Sequence, residues 1–235
     1  MDQTRHTRRR AAVTGALLLG AAGSADADLL ASIEAYIPTR AILEANTLAA
    51  KLAAQAKGLK TPVIEQALAA YRAAQQAGQV RRARLAVIDY SLPSSRKRLW
   101  VFDLDTEKLM FHEWVAHGVN SGMVEAKKFS NRLGSKQSSL GAFLTTETYY
   151  GRHGYSLNLA GLDPGVNDLA MRRRIVMHGA KYVSAQIIKE YGRLGRSWGC
   201  PAVRPRITQA LIDTLKNGSV LFVYHPKLDA PQKPT

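Results

Sequence analysis

From Arg84 onward, the chain is a succession of short β-branched and aromatic segments, separated by loops rich in Gly, Ser, Asn and Pro. Such segments are typical of β-strands, and such loops of turns. The run RLWVFDLDTEKLMFHEW predicts a hairpin that turns at residues 105–108. Helical periodicity interrupts the strand pattern only at residues 180–192 and 204–218. We therefore expect an α+β domain, mainly β with helical insertions, over residues 80–226.

The residues before this domain are alanine-rich. Residues 28–57 and 62–77 repeat apolar side chains at intervals of three and four, which is typical of helices. Thr61 and Pro62 favour the start of the second helix, and Gly78 favours its end. We expect residues 28–79 to form an N-terminal helical appendage and the proline-rich residues 227–235 to form a flexible tail.

The first residues are similar to a secretory signal. A basic stretch, RHTRRR, precedes the apolar residues 11–23, which are too few to span a bilayer comfortably. The small residues ADA at 25–27 suit a cleavage site. We expect residues 1–27 to be a signal peptide for the Sec or the twin-arginine route, and the mature protein to lie in the periplasm or cell envelope without stable membrane insertion. A basic N-terminus with a short helix is the alternative.

The charge of the chain limits its partners. The formal net charge is +15, and residues 1–27 contribute only four arginines and two aspartates to it. A strongly basic surface attracts polyanions such as nucleic acid, anionic lipid or an acidic wall polymer. Export argues against nucleic acid, and the sequence lacks the aromatic–basic repeats of nucleic-acid binders. General solubility without a specific partner is the alternative.

Cys200 is the single cysteine of the chain, in the segment RSWGCPAV. It has no cysteine partner for an internal disulfide, which leaves an intermolecular disulfide, an inert thiol or a nucleophile. A nucleophilic thiol needs a base, and His178 is the best candidate because RIVMHGA places it at the end of a predicted strand. A histidine satisfied by a local carbonyl is the alternative. Acyl transfer also needs donors for an oxyanion, and the backbone N–H groups of Trp198, Gly199 and Cys200 are candidates.

Four segments together resemble the murein L,D-transpeptidase catalytic domain family, the YkuD-type cysteine transpeptidases. They are VAHGVNSG, FSNRLGSKQSSLGAF, LDPGVNDLAMRRRIVMHGAKYVS and RSWGCPAV, and the resemblance covers about residues 85–225. It implies a β-sandwich catalytic domain in which a cysteine attacks a peptide bond of the peptidoglycan stem. An acyl-enzyme forms, and an amine from a neighbouring stem, or water, resolves it.

The resemblance assigns roles to particular residues. Cys200 would be the nucleophile, His178 the general base, and the Gly179 carbonyl the group that orients the imidazole. Ser197, Trp198 and Gly199 would line the nucleophile loop, with Trp198 at a position where the common family motif has histidine. If His178 forms an ion pair with Cys200, we expect a lowered thiol pKa.

The resemblance also points to a partner and to substrate contacts. The resemblance implies no metal or cofactor, and a partner in the anionic stem peptides of peptidoglycan. Candidate contacts are a polar cluster, two tyrosines at a strand end and two arginines that would pair with stem carboxylates: His117, Asn120, Ser121, Tyr149, Tyr150, Arg174 and Arg204. For each, a turn or surface role is the alternative. Three functions stay open: a transpeptidase that cross-links stems, an L,D-carboxypeptidase or endopeptidase on the same fold, and a non-catalytic wall-binding module.

Overall fold

The computed structural model describes residues 47–229, which lie within one compact unit. The helices are α1 (47–55), α2 (Thr61–Gln76), α3 (Ala185–Tyr191) and α4 (Pro205–Leu215). The strands are β1 (Arg84–Asp89), β2 (Leu99–Asp103), β3 (Lys108–Glu113), β4 (Gly141–Gly151), β5 (Gly154–Gly161), β6 (Val176–Gly179), β7 (Ala202–Val203) and β8 (Val220–Tyr224). The predicted signal peptide lies outside the described residues, as do residues 28–46 and 230–235.

All eight strands join one sheet in the order β3-β2-β1-β8-β4-β5-β6-β7. The pairs β1–β8 and β6–β7 are parallel, and the other neighbours are antiparallel. The predicted α+β class, mainly β with helical insertions, is confirmed. Among residues 47–229, no helix is long and apolar enough to cross a membrane.

The alternation of side chains along the strands creates two hydrophobic layers. In β1, Leu85 and Val87 face a layer that also holds buried residues of α1 and α2, including Leu52 and Ile64. The intervening Ala86 and Ile88 face the other layer, which holds the apolar side of α4. Since successive strand residues point to opposite faces, the continuous apolar run of β1 is buried on both sides. Helix α2 therefore packs directly on the sheet.

Element boundaries follow local chemistry. The hairpin predicted for residues 98–114 is present, with its turn between β2 and β3 and Glu107 at a φ of 55°. Helix α3 is shorter than the predicted 180–192, because its N-cap is Ser184, whose hydroxyl accepts from Ile187 N–H at 3.2 Å. Helix α4 ends before Asn217 and Gly218, which both have positive φ.

The segment LDPGVND, residues 162–168, makes hydrogen bonds to the backbone at the start of β4. Asp163 accepts a hydrogen bond from Ala142 N–H at 2.7 Å, and the buried Asn167 amide donates to the carbonyls of Leu140 and Ala142 at 2.9 and 2.8 Å. Burial raises the pKa of Asp163, and the Ala142 N–H lowers it by a smaller amount. This segment is thus a structural brace for the strand that leads into the β4–β5 hairpin.

Candidate active site

The parallel pairing of β6 and β7 brings the predicted pair together. His178 is in register with Ala202, so Cys200, two residues earlier, lies beside the beginning of β6. The N–H of Val176 lies 3.5 Å from the Cys200 sulfur. His178 and Cys200 line one cavity of about 230 Å³, together with Arg152, His153, Tyr182, Arg196, Ser197 and Trp198.

The hydrogen bonding of His178 indicates its tautomer. Nδ1 lies 2.9 Å from the carbonyl oxygen of Gly179, which is the contact that the resemblance implied. Because a carbonyl only accepts, Nδ1 carries the proton and Nε2 has a lone pair. Burial lowers the pKa of His178; the Gly179 carbonyl raises it, and the charge of His153 lowers it again. The imidazole is therefore held neutral, in the form that can accept a proton.

The thiol of Cys200 is also held neutral. Burial raises its pKa, while the Val176 N–H and the charge of Arg173 lower it by smaller amounts. The lowered thiol pKa that an ion pair with His178 would produce is not found, because burial disfavours the charged form of both groups. The sulfur also contacts the Arg174 carbonyl oxygen at 3.7 Å.

The hydroxyl of Ser197 makes two hydrogen bonds within the nucleophile loop, residues 197–200. Ser197 Oγ donates to the Cys200 carbonyl at 2.6 Å and accepts from the Gly199 N–H at 3.1 Å. The Gly199 N–H is therefore occupied, contrary to its expected availability as an oxyanion donor. The N–H groups of Trp198 and Cys200 remain candidates. Gly199 has a φ of +123°, and a Cβ there would lie 2.7 Å from the Gln137 carbonyl oxygen, so the loop requires glycine.

Residues 116–119 pair with the nucleophile loop through their backbone. Ser197 N–H donates to the His117 carbonyl at 3.0 Å, and Val119 N–H donates to the Ser197 carbonyl at 2.7 Å. Ala116 N–H also donates to Ala202 at 2.8 Å. The segment AHGV, residues 116–119, therefore supports the nucleophile loop through its backbone.

Comparison with known proteins decides the family. Residues 55–224 match the L,D-transpeptidase catalytic domain. The chain belongs to this family. No curated protein matches the chain.

Several solved structures are similar to the chain at low identity. An L,D-transpeptidase from Mycobacterium smegmatis is 13% identical with a TM-score of 0.37, and the match covers 61% of this chain and 59% of that one. The helical cell shape determining protein Pgp2 of Campylobacter jejuni (K307A mutant) is 11% identical with a TM-score of 0.42, over 64% of this chain and 52% of that one. An L,D-transpeptidase from Stackebrandtia nassauensis is 15% identical with a TM-score of 0.36, over 77% and 90%. The chain spans about three fifths of the first of these proteins.

Two predicted substrate contacts of the L,D-transpeptidase domain are internal. The His117 side chain is fully buried, with Nδ1 2.7 Å from Arg98 Nη2 and Nε2 3.2 Å from the Gly122 carbonyl. Burial and the charge of Arg98 lower its pKa to about 3, so it stays neutral. Ser121 is also buried, and its hydroxyl accepts from Ser138 N–H at 2.9 Å. The predicted contact of these two side chains with substrate is therefore wrong.

Arg204 also has partners within the fold. It forms an ion pair with Glu113, and its guanidinium lies over the Trp114 ring at 5.1 Å from the centroid. The side chains of Arg204 and Glu113 are only 13% and 10% exposed. The ion pair with Glu113 compensates the charge of Arg204 within the fold, which argues against the predicted pairing with stem carboxylates.

The remaining predicted contacts lie on the surface, outside the residues that line the cavity. Asn120 donates to the Ser135 carbonyl at 2.9 Å. Tyr149 and Tyr150 are exposed near the end of β4, where Tyr150 stacks on Tyr155 at 5.1 Å. Arg174 is exposed at a φ of 55° and reaches the site only through its backbone carbonyl. Trp198 does line the cavity, and Lys136 lies 4.6 Å from its ring centroid.

Sequence reasoning missed four residues that line the cavity. Arg152 and His153 come from the turn between β4 and β5, Tyr182 precedes α3, and Arg196 precedes the nucleophile loop. Arg196 is fixed by hydrogen bonds to the carbonyls of Val119 and Gly122 at 3.2 Å each. No aspartate or glutamate lines the cavity, so its charge is positive. Within residues 47–229, no cluster of three His, Cys, Asp or Glu side chains is placed to hold a metal ion.

Proposed function

We propose that this protein is a peptidoglycan L,D-transpeptidase that cross-links stem peptides through an acyl-enzyme on Cys200. The observation that carries the proposal is the shared cavity of Cys200 and His178, with His178 Nδ1 held by the Gly179 carbonyl. This arrangement leaves Nε2 as the acceptor for the thiol proton. A thiol, a positioned base and a group that orients the base are the parts that cysteine acyl transfer needs.

The proposed reaction begins with transfer of the Cys200 proton to His178 Nε2. The sulfur attacks the carbonyl carbon of an L-centre that is followed by a D-residue, and a tetrahedral oxyanion forms. The N–H groups of Cys200 and Trp198 are the proposed donors to that oxyanion. The peptide C–N bond then breaks, His178 returns the proton to the leaving amine, and a thioester remains. An amine of a second stem then attacks the thioester carbonyl, an amide bond forms and the carbon–sulfur bond breaks. The proton that the amine gives up passes through His178 to the sulfur and restores the thiol.

The charge of the cavity supports an acidic peptide as substrate. Arg152 and Arg196 flank the pair, and neither makes an ion pair with a described carboxylate. Stem peptides carry free carboxylates next to the scissile bond, and arginine recognises carboxylates well. We therefore assign the role first given to Arg174 and Arg204 to Arg152 and Arg196.

The test is incubation of the full chain with disaccharide-tetrapeptide muropeptides, with products identified by mass spectrometry. We expect a cross-linked dimer and one released D-residue per link. Cys200→Ala should give neither, and Arg172→Gln, which changes an exposed arginine, should behave as the wild type. Shortened monomers without dimer would establish the carboxypeptidase instead. If no product forms and a carbapenem gives no adduct on the thiol, the protein would be the non-catalytic wall-binding module.

We also propose that residues 1–27 direct export to the periplasm and are then removed. The basic, apolar and small-residue order of this stretch supports the proposal. Mass spectrometry of the protein recovered from the cell envelope should give an N-terminus at Asp28. A protein that retains Met1 and fractionates with the cytoplasm would contradict it.

A further inference from the structure

Arg173 packs against the nucleophile loop, residues 197–200. Its Nη2 is 3.4 Å from the position that a Cβ on Gly199 would occupy, and Gly199 is bonded to Cys200. The side chain of Arg173 is partly buried. A charged group therefore lies against the backbone that carries the thiol, and Arg173 is not among the residues that line the cavity.

The guanidinium of Arg173 binds the loop formed by residues 130–139. Nη1 donates to the Ser130 carbonyl at 2.5 Å and to the Ser139 hydroxyl, and Nη2 donates to the Ser135 hydroxyl at 3.1 Å and the Gln137 carbonyl at 2.5 Å. These four acceptors are neutral. Arg173 therefore organises this loop without neutralisation of its own charge.

The same loop is joined to the nucleophile loop. The Ser138 hydroxyl lies 3.3 Å from the Gly199 carbonyl, and the Gln137 carbonyl is the atom that a Cβ on Gly199 would meet at 2.7 Å. Arg173 thus contacts both the loop and, through the loop, the backbone next to Cys200. A change in its hydrogen bonding would shift the thiol as well as residues 130–139.

The charge of Arg173 has no anionic partner among residues 47–229, since none of their ion pairs includes it. A partly buried cation is costly unless an anion compensates it. Cys200 is the nearby group that becomes anionic when it gives up its proton. Burial lowers the pKa of Arg173, and the Cys200 thiolate raises it by a smaller amount. Burial likewise raises the pKa of Cys200, and the charge of Arg173 lowers it by a smaller amount, so the two groups are coupled.

We propose that Arg173 is a positioning residue of the nucleophile: its charge stabilises the Cys200 thiolate, and its hydrogen bonds hold residues 130–139 against the nucleophile loop. The inference rests on the proposed role of Cys200 as nucleophile. The charge of Arg173 offsets part of the effect of burial, which favours the protonated thiol. Because Arg173 does not line the cavity, its charge acts without occupying the space proposed for the substrate.

The test measures the rate of alkylation of Cys200 by iodoacetamide as a function of pH, in the full chain. Alkylation forms a carbon–sulfur bond and releases iodide, and it requires the thiolate but no peptidoglycan. Arg173→Gln removes the charge. Arg173→Lys keeps the charge and loses the fork of donors. Arg172→Gln is the matched control, because it removes the same charge from an exposed neighbour.

Arg173→Gln should slow alkylation at pH 7 about tenfold, with a profile displaced by about one unit to higher pH. Arg173→Lys should stay within about threefold of the wild type, although both substitutions lower the melting temperature through lost hydrogen bonds. Arg172→Gln should match the wild type. Other groups that line the cavity or act on the thiol are unchanged in all three variants: His178, His153, Arg152, Arg196, Tyr182 and Tyr90.

A folded Arg173→Gln with the wild-type profile would overturn the inference. So would an equal displacement in Arg173→Lys and Arg173→Gln, since the charge would then have no role. If Arg173→Gln does not fold, Arg173→Lys decides: a wild-type profile supports the inference, and a profile displaced to higher pH contradicts it. If the variants show the expected alkylation profiles but the wild type does not process muropeptides, the proposed substrate is wrong and the inference about Arg173 stands.

Discussion

The imidazole of His153 stacks on that of His178, with ring centroids 4.3 Å apart and an angle of 22° between the planes. His153 is itself exposed in the turn that joins β4 and β5. The stack covers one face of the proposed base. It adds to the burial that lowers the pKa of His178, and a proton on His153 lowers that pKa further by repulsion.

Replacement of His153 by alanine should raise the pKa of His178, since the substitution removes both the cover and the repulsion. A smaller fraction of the base is then neutral in acid, so the acid limb of the pH–rate profile should move up by as much as about one unit. The measurement is the rate of acylation by muropeptide between pH 4 and 8. His153→Phe keeps a stacked ring without the charge and should give an intermediate displacement. An unmoved or lowered acid limb in His153→Ala would show that the stack has no such effect.

Gly199 should tolerate no side chain. Gly199→Ala places a methyl group 2.7 Å from the Gln137 carbonyl at a φ of +123°, so the nucleophile loop must move. We expect the rate of Cys200 alkylation to fall at least about a hundredfold, because misplacement of a reacting group by about 1 Å has effects of that size. Gly192→Ala is the control: its φ is +69° but nothing lies within 4 Å of the added carbon, so it should lose stability and keep reactivity. Equal reactivity of the two variants would contradict the account.

Substitution of Arg204 should affect stability, and substitution of Arg152 should affect substrate binding. Arg204→Gln leaves Glu113 buried without its partner, which should lower the free energy of unfolding by roughly 3 kcal/mol with little change in KM. Arg152→Gln should raise KM for an anionic stem peptide and leave the free energy of unfolding nearly unchanged. Urea titrations and steady-state kinetics measure the two effects. A raised KM in a stable Arg204→Gln protein would restore the role that the sequence suggested.

His117 should make the protein less stable in acid. Its pKa falls from 6.5 to about 3 on folding, so between these values the unfolded chain binds more protons than the folded one. The free energy of unfolding therefore decreases as the pH falls from 6.5 towards 3, by up to about 1.4 kcal/mol per pH unit. His117→Asn removes this titration, and its stability should depend less on pH over that interval. Equal slopes for the variant and the wild type, measured by urea unfolding, would contradict the neutral buried state.

The parts of the fold that depend on local pattern were predictable from the sequence. The β2–β3 hairpin and helices α2 and α4 follow from turn residues and from apolar periodicity, which act within a few residues. His178 was predictable as the base for Cys200 from its place at a predicted strand end, and the family resemblance pointed to the same pair, although 22 residues separate the two. The register of β6 with β7 brings the two residues to one cavity.

The residues that sequence reasoning misplaced are those with distant partners. His117 was expected at the cleft, but Arg98, 19 residues away, holds it in the interior. Arg204 was expected on a stem carboxylate, but Glu113, 91 residues away, neutralises it. Arg173 lies in a run of three arginines, residues 172–174, and only the fold shows that its hydrogen-bond acceptors lie in residues 130–139. A charged residue in a sequence does not reveal its counter-charge, because that partner is set by tertiary packing.

The central claim is that Cys200 carries the acyl group of a stem peptide. The most direct measurement is peptide mapping by mass spectrometry after the full chain has reacted with a disaccharide-tetrapeptide and been quenched in acid. The account predicts a disaccharide-tripeptide attached to Cys200, absent from Cys200→Ala and greatly reduced in His178→Ala. Formation of the cross-linked dimer by Cys200→Ala, or an acyl group on another residue, would contradict it.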